Sequence, residues 1–230
     1  MLNSDYLRRH DEVVKCVHLH ICQMYGIKKN RKLKNHSVQS ILSTQNVEIR
    51  VDTSIITENK VNFNKPDIFV YDKIKKEITL IEVGITSQDR LKQLEAEKLH
   101  KYDFLANELS LPYECQVKII PVVLTWDSVV TRCFKNYMDK LYIEKSTMTY
   151  IQAVVLKRTL ESMIIEHKHG MKITGEEYTS ATDQLVEMAC RQDIPFKDKR
   201  RTTTDAEIEN EEKQAADSSP KRRRETTNQD

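Results

Sequence analysis

The chain has 230 residues, and its 37 Lys and Arg against 35 Asp and Glu leave a net charge of +2, a balance that selects no class of partner. With 4 glycines and no G-x-x-x-x-G-K-[ST] or G-x-G-x-x-G pattern, it excludes glycine-rich phosphate loops. No apolar run reaches the roughly 18 residues that span a bilayer, and "MLNSDYLRRHDEVVK" has no hydrophobic signal region, so neither a membrane protein nor a secreted one is expected. The five cysteines (Cys16, Cys22, Cys115, Cys133 and Cys190) are odd in number and scattered, which reads as reduced thiols in an intracellular protein.

In chain order, Asp5 to Tyr25 is predicted as a helix, capped by Ser4 or Asp5, with Val13, Val14, Val17, Ile21 and Met24 forming a stripe at helical spacing. Residues 28–46 are polar and irregular. "VEIRV" (Val47 to Val51) alternates as a half-buried strand does. "TENK" (Thr57 to Lys60) is a turn candidate. Pro66 introduces a strand from Asp67 to Tyr71, at the strand end where proline is tolerated. After the polar turn "DKIKK", Glu77 to Ile85 reads as a strand that is apolar on both faces and therefore buried. An amphipathic helix follows, about Gln88 to Leu109, ending before Pro112. Gln116 to Trp126 is a further strand, whose Pro121 favours an edge or a bulge. Asp127 is placed to cap a helix running to about Tyr142, and a last helix covers about Met148 to Glu166. The strands flanking the long helix are expected to lie parallel. The fold class is α/β: a mixed-sheet core in the order helix, three strands, helix, strand, with extra C-terminal helices. Residues 1–170 form this domain. Residues 171–230 read as a largely disordered charged tail carrying "SPKRRRE", whose Lys221–Arg224 cluster is either a nuclear localisation signal or a solvated charge run.

Glu82 interrupts the apolar run Leu80-Ile81-Glu82-Val83, and a carboxylate there must be neutralised, paired or bound to a cation. Alternation puts Ile78, Leu80, Glu82 and Gly84 on one face, and Asp67, Phe69 and Tyr71 on one face of the preceding strand. A short linker makes the two strands antiparallel neighbours, which brings Asp67 near Glu82. At about 100° per residue, Leu91, Leu94, Leu99, Tyr102, Leu105 and Leu109 define the buried face of the next helix. Lys98 falls in the middle of that face, Glu95 inside it and Lys101 on its border. Lys98 is thus placed to face both carboxylates. Two carboxylates and a lysine suit divalent-metal chemistry, because Mg²⁺ takes oxygen ligands, generates hydroxide and polarises a phosphodiester. A buried ion pair between Glu82 and Lys98 would also explain both charges, and Glu95 is either an extra ligand or an edge residue.

"KPD" before a strand, followed by a strand bearing an acid, resembles the PD-(D/E)XK nuclease superfamily, whose usual lysine two residues after the acid is Gly84 here. Some branches carry that lysine on the following helix, and "AEKLHKYDFL", with Lys98, Lys101 and Tyr102, looks like such a case. The closer resemblance is to the restriction-like endonuclease domain of non-LTR retrotransposon reverse transcriptases. It is carried over residues 6–166 by "YLRRHDEVVKCVH", "SIITENKVNFNKPDIFVYDK", "LIEVGI", "EAEKLHKYDFLANEL", "VKIIPVVL" and "VVLKRTLESMI", in order. Members commonly have Asp where Glu82 stands, and no polymerase region or Cys/His knuckle accompanies these segments.

The resemblance implies a metal-dependent endonuclease that nicks DNA through a Mg-activated water, with Mn able to substitute. Asp67 and Glu82 would hold the metal. Lys98, with Lys101 beside it, would serve catalysis. Arg9, His10, Lys65 and Tyr102 would contact DNA. The implied partners are DNA and the retrotransposon's RNA or reverse transcriptase, and the location is nuclear or otherwise cytoplasmic. The alternative is a catalytically inactive DNA-binding module or a structural remnant of such a polyprotein. The first-helix residues Cys16, His18, His20 and Cys22 match no standard zinc spacing. The basic run Lys28, Lys29, Arg31, Lys32 and Lys34 either neutralises DNA phosphates or is solvated.

Overall fold

The computed structural model describes residues 3–28 and 32–170, so the expected tail at 171–230, with its Lys221–Arg224 cluster, lies outside the described residues. Five strands form one mixed sheet in the order β1-β2-β3-β4-β5. They are β1 (Ile41–Ser43), β2 (Val47–Val51), β3 (Ile68–Asp72), β4 (Glu77–Thr86) and β5 (Gln116–Thr125). The first four pair antiparallel, and β5 pairs parallel to β4. The α/β class and the expected strand directions hold.

Helices cover both sheet faces. The helices α1 (Asn3–Met24), α4 (Phe134–Lys140) and α5 (Lys145–Gly170) close one face. Val13, Val17 and Ile21 of α1 meet Ile49, Val70, Ile81, Val83 and Val122 of the sheet, together with Met138, Ile151 and Val155. The opposite face holds a smaller cluster in which Phe69, Ile78 and Leu80 pack against Tyr102, Leu105 and Leu109. Burial on both faces is why β4 reads as a nearly continuous apolar run and why Glu82, at 2% exposure, needs partners inside the protein.

Three details differ from the sequence-based expectation. Strand β1 arises within a stretch read as irregular; with three residues and mostly exposed side chains it is too short to show alternation. The helix expected over Gln88–Leu109 is two helices, α2 (Leu91–His100) and α3 (Asp103–Ser110). They part at Tyr102 (φ −112°, ψ 15°), whose side chain is drawn into the sheet. Asp127 caps no helix. Thr125 donates to it, and the Thr125 hydroxyl oxygen accepts the Val129 N–H at 2.7 Å. The chain stays in turns until α4 starts at Phe134, whose N–H donates to Thr131 Oγ1 at 3.2 Å. Pro121 sits in β5 with an unbroken register to Glu82, so it marks an edge strand and no bulge. Among the described residues, no helix is long and apolar enough to cross a membrane.

Candidate active site

The register Ile68↔Ile81 ends the β3–β4 ladder one residue short of Asp67, which places Asp67 beside Glu82 at the mouth of the pair. Its side chain takes over the ladder there: the Val83 N–H donates to Asp67 Oδ2 at 2.7 Å. The same oxygen lies 3.2 Å from His10 Nε2, which α1 brings across the end of the sheet. The other ring nitrogen of His10 lies 3.1 Å from Asp11 Oδ1, and the ring stacks on Tyr6 at 5.8 Å between centroids. Burial works against charging Asp67, but the His10 hydrogen bond and charge, the Val83 N–H and the Lys98 charge outweigh it and hold its pKa below the usual value. Burial likewise disfavours the charged His10 ring, and the hydrogen bonds and charges of Asp67 and Asp11 overcome it and raise its pKa.

Glu82 is the centre of a second set. Lys98 Nζ and Lys101 Nζ each donate to Glu82 Oε1 at 2.6 Å. The Tyr102 hydroxyl points at Glu82 Oε2 (2.9 Å) and at the Lys65 carbonyl oxygen (2.7 Å). Burial, followed by the Glu82 charge, pushes the Tyr102 pKa up, so this phenol stays a neutral donor. Lys98 and Lys101 both reach the acid because one lies within the last turn of α2 and the other immediately after it.

Gly84 leaves room for the Lys98 side chain to reach Glu82. A Cβ on Gly84 would meet Leu94 Cδ2 at 3.0 Å, Val123 Cγ2 at 3.4 Å and Lys98 Cε at 3.5 Å. The space a side chain at 84 would need is filled by α2, and the Lys98 stem crosses it.

Of the other expected site residues, Lys65 lies at the rim, its ammonium 2.8 Å from Asp52. Arg9 and Tyr102 are corrected as DNA contacts. Arg9 is 1% exposed, with Nη1 3.5 Å from Thr159 Oγ1 of α5. Tyr102 is also 1% exposed and belongs to the apolar cluster under α3. Neither side chain meets a surface that DNA can reach. His10 takes a place that sequence reasoning missed, as the partner of Asp67; its spacing of 57 residues from Asp67 carries no local signal. Glu95 accepts a hydrogen bond from Thr131 Oγ1 at 2.5 Å. A hollow of about 260 Å³ lined by Arg8, Asp11, Glu12, Lys15 and Arg158 includes neither Asp67 nor Glu82. Arg8 and Arg158 are already paired there with Glu161, and Arg158 with Glu12.

Among the described residues, no three His, Cys, Asp or Glu side chains form a metal-ligand set. The first-helix His18 instead meets His36 and Cys22: His18 Nδ1 lies 2.8 Å from His36 Nε2, and Cys22 Sγ lies 3.6 Å from His18 Nε2. Lys28 Nζ lies 3.2 Å from His36 Nδ1. An ammonium only donates, so the bonds run in one direction: Lys28 to His36 Nδ1, His36 Nε2–H to His18 Nδ1, and His18 Nε2–H to the Cys22 sulfur.

The fold and this end of the sheet define a mixed α/β protein with a buried acid–lysine centre. No family model and no curated protein matches the chain. Among solved structures, an N-terminal domain of a reptarenavirus L protein is similar at 14% identity over 82% of this chain and 78% of that one, with a TM-score of 0.30. An overlap that loose carries no argument.

Proposed function

We propose that this chain is a metal-dependent DNA endonuclease that nicks phosphodiester bonds with a Mg-activated water, as the target-site cleavage module of a non-LTR retrotransposon does. The observation that supports it is the register that puts Asp67 next to Glu82 just beyond the end of the β3–β4 ladder, with Lys98 arriving from the next helix. The donor chemistry fits a hard cation: Mg²⁺ needs only one or two carboxylates, the rest being water and phosphate. When bound, such an ion lowers the pKa of its water and polarises the phosphate. Asp67 and Glu82 would hold it, with Mn as a substitute. Tyr102 orients Glu82 through Oε2, Lys98 supports the attacking water and the charge growing on phosphorus, and His10 keeps Asp67 ionised. A DNA target agrees with a nuclear address at Lys221–Arg224.

A second reading draws on one observation: both Glu82 oxygens are engaged by protein donors. In that reading the cluster is a structural ion-pair centre in a DNA-binding module or remnant without catalysis. Nicking of supercoiled plasmid in Mg²⁺ or Mn²⁺ decides between them. The endonuclease reading expects nicking by the full chain that falls about 100-fold or more in Asp67→Ala and Lys98→Ala. Clean wild-type protein that does not nick fits the second reading.

A further inference from the structure

We propose that Lys101 is an exchangeable counter-cation: it occupies Glu82 until a divalent ion arrives, then turns outward to hold the phosphate of the incoming nucleic-acid strand. This rests on the endonuclease reading and adds a coupling to it.

The argument is one of charge. Glu82 Oε1 faces two ammonium groups at 2.6 Å each. Asp67 and Glu82 together carry two negative charges, and Lys98 and Lys101 carry two positive ones; the charge of a protonated His10 beside Asp67 is offset by Asp11 on its other nitrogen. A divalent ion added to this set leaves a surplus of two positive charges at a site where Glu82 is 2% exposed. Unpaired charge in such surroundings is costly. The surplus falls if one lysine leaves Glu82, and it falls further if a phosphodiester enters with the ion.

The two lysines are not equivalent. The Lys98 stem is packed across Gly84, 3.5 Å from where a Cβ would stand, and its side chain is 16% exposed. The Lys101 side chain is 29% exposed. Its ammonium lies over the rings of Tyr102 (4.9 Å) and Phe63 (5.8 Å) at the break between α2 and α3. Phe63 is itself 56% exposed, so Lys101 stands on the open side of Glu82. Lys101 is the one that can leave without unpacking the sheet face. A cation and a nucleic-acid phosphate then favour each other's binding, and by linkage each raises the affinity of the other by the same factor.

The test is a Mn²⁺ titration of the full chain, read from the signal of the free ion by electron paramagnetic resonance, with and without a short DNA duplex and against a DNA-only control. Lys101→Met retains Lys98 on Glu82, and its melting curve verifies that it is folded. The expected result is Mn²⁺ binding about tenfold tighter in Lys101→Met than in wild type without DNA, with the DNA-induced gain seen in wild type reduced. Lys101→Arg, which keeps the charge, restores weak binding and the gain. Equal or weaker Mn²⁺ binding by Lys101→Met, or wild-type binding indifferent to DNA, overturns the exchange, and nicking by wild type then still supports the endonuclease reading. Wild type that neither binds Mn²⁺ nor nicks overturns the endonuclease reading, and the exchange with it.

Discussion

Lys98 crosses the backbone of Gly84, its Cε 3.5 Å from the point where a β-carbon would stand, and ends on Glu82 Oε1 at 2.6 Å. The missing side chain on the strand and the long one on the helix are therefore one feature. A lysine at 84 and a lysine at 98 would compete for one volume, and this chain uses the second.

Filling that space is the first experiment. Gly84→Ala places its Cβ 3.0 Å from Leu94 Cδ2, the far end of a flexible side chain, so a small shift relieves it. A loss of about 1 kcal/mol is expected, and Gly84→Leu, which must also push the Lys98 stem aside, should lose roughly 3 kcal/mol. Urea unfolding measures both. Gly84→Leu should also lose more nicking than Gly84→Ala.

The two lysines on one oxygen predict a strongly non-additive pair. Lys98→Met or Lys101→Met leaves Glu82 with one ammonium, and each should cost only about 0.5–1 kcal/mol. The double variant leaves a buried carboxylate with only the Tyr102 hydroxyl and should cost roughly 3–5 kcal/mol. Adding Glu82→Gln to the double variant should recover part of that loss. A double-mutant cycle in urea reads the coupling, and additive losses would show that Glu82 does not depend on the pair.

The Asp67–His10 contact gives stability a pH window. The folded pKa of His10 is raised, so its contribution is fully present below the unfolded value of about 6.5 and is lost as pH rises through the higher folded value. Asp67 is lowered, so its contribution is present above an unfolded value of about 3.9 and is lost as pH falls through the lower folded value. The contact is therefore strongest between about pH 4 and 6.5. Stability curves for wild type and His10→Gln should be farthest apart in that window and converge on the alkaline side.

His18 and His36 behave in the opposite sense. Burial first, and the Lys28 charge second, lower both to about 4. Each contributes stability above the unfolded value of about 6.5, and this is lost as pH falls from there toward about 4. The directed chain from Lys28 to Cys22 adds a spectroscopic statement: both rings carry their proton on Nε2 near pH 7. Nitrogen-15 shifts of the two imidazoles test it, and a proton on Nδ1 of either ring would break the chain as assigned. Wild type should lose stability in mild acid more steeply than His36→Gln.

The strand pair bearing Asp67 and Glu82, the parallel return through a helix and the inward position of Lys98 were all legible in the residues. Each follows from the repeat of a single regular element: two residues per strand period, about 3.6 per helical turn. A carboxylate within a two-faced apolar strand also announced that it needed a partner. Lys98 was legible as one such partner, and it does reach Glu82, but the full set of partners was not. That His10 meets Asp67, that Lys98 and Lys101 share one Glu82 oxygen while Tyr102 takes the other, and that Arg9 turns into the α5 interface depend on elements meeting across loops. The break at Tyr102 and the late start of α4 have the same origin. Side chains reaching distant backbone and carboxylate groups outweigh helix propensities worth a fraction of a kcal/mol per residue, on the order of those in host peptides, and only the tertiary structure brings such groups together.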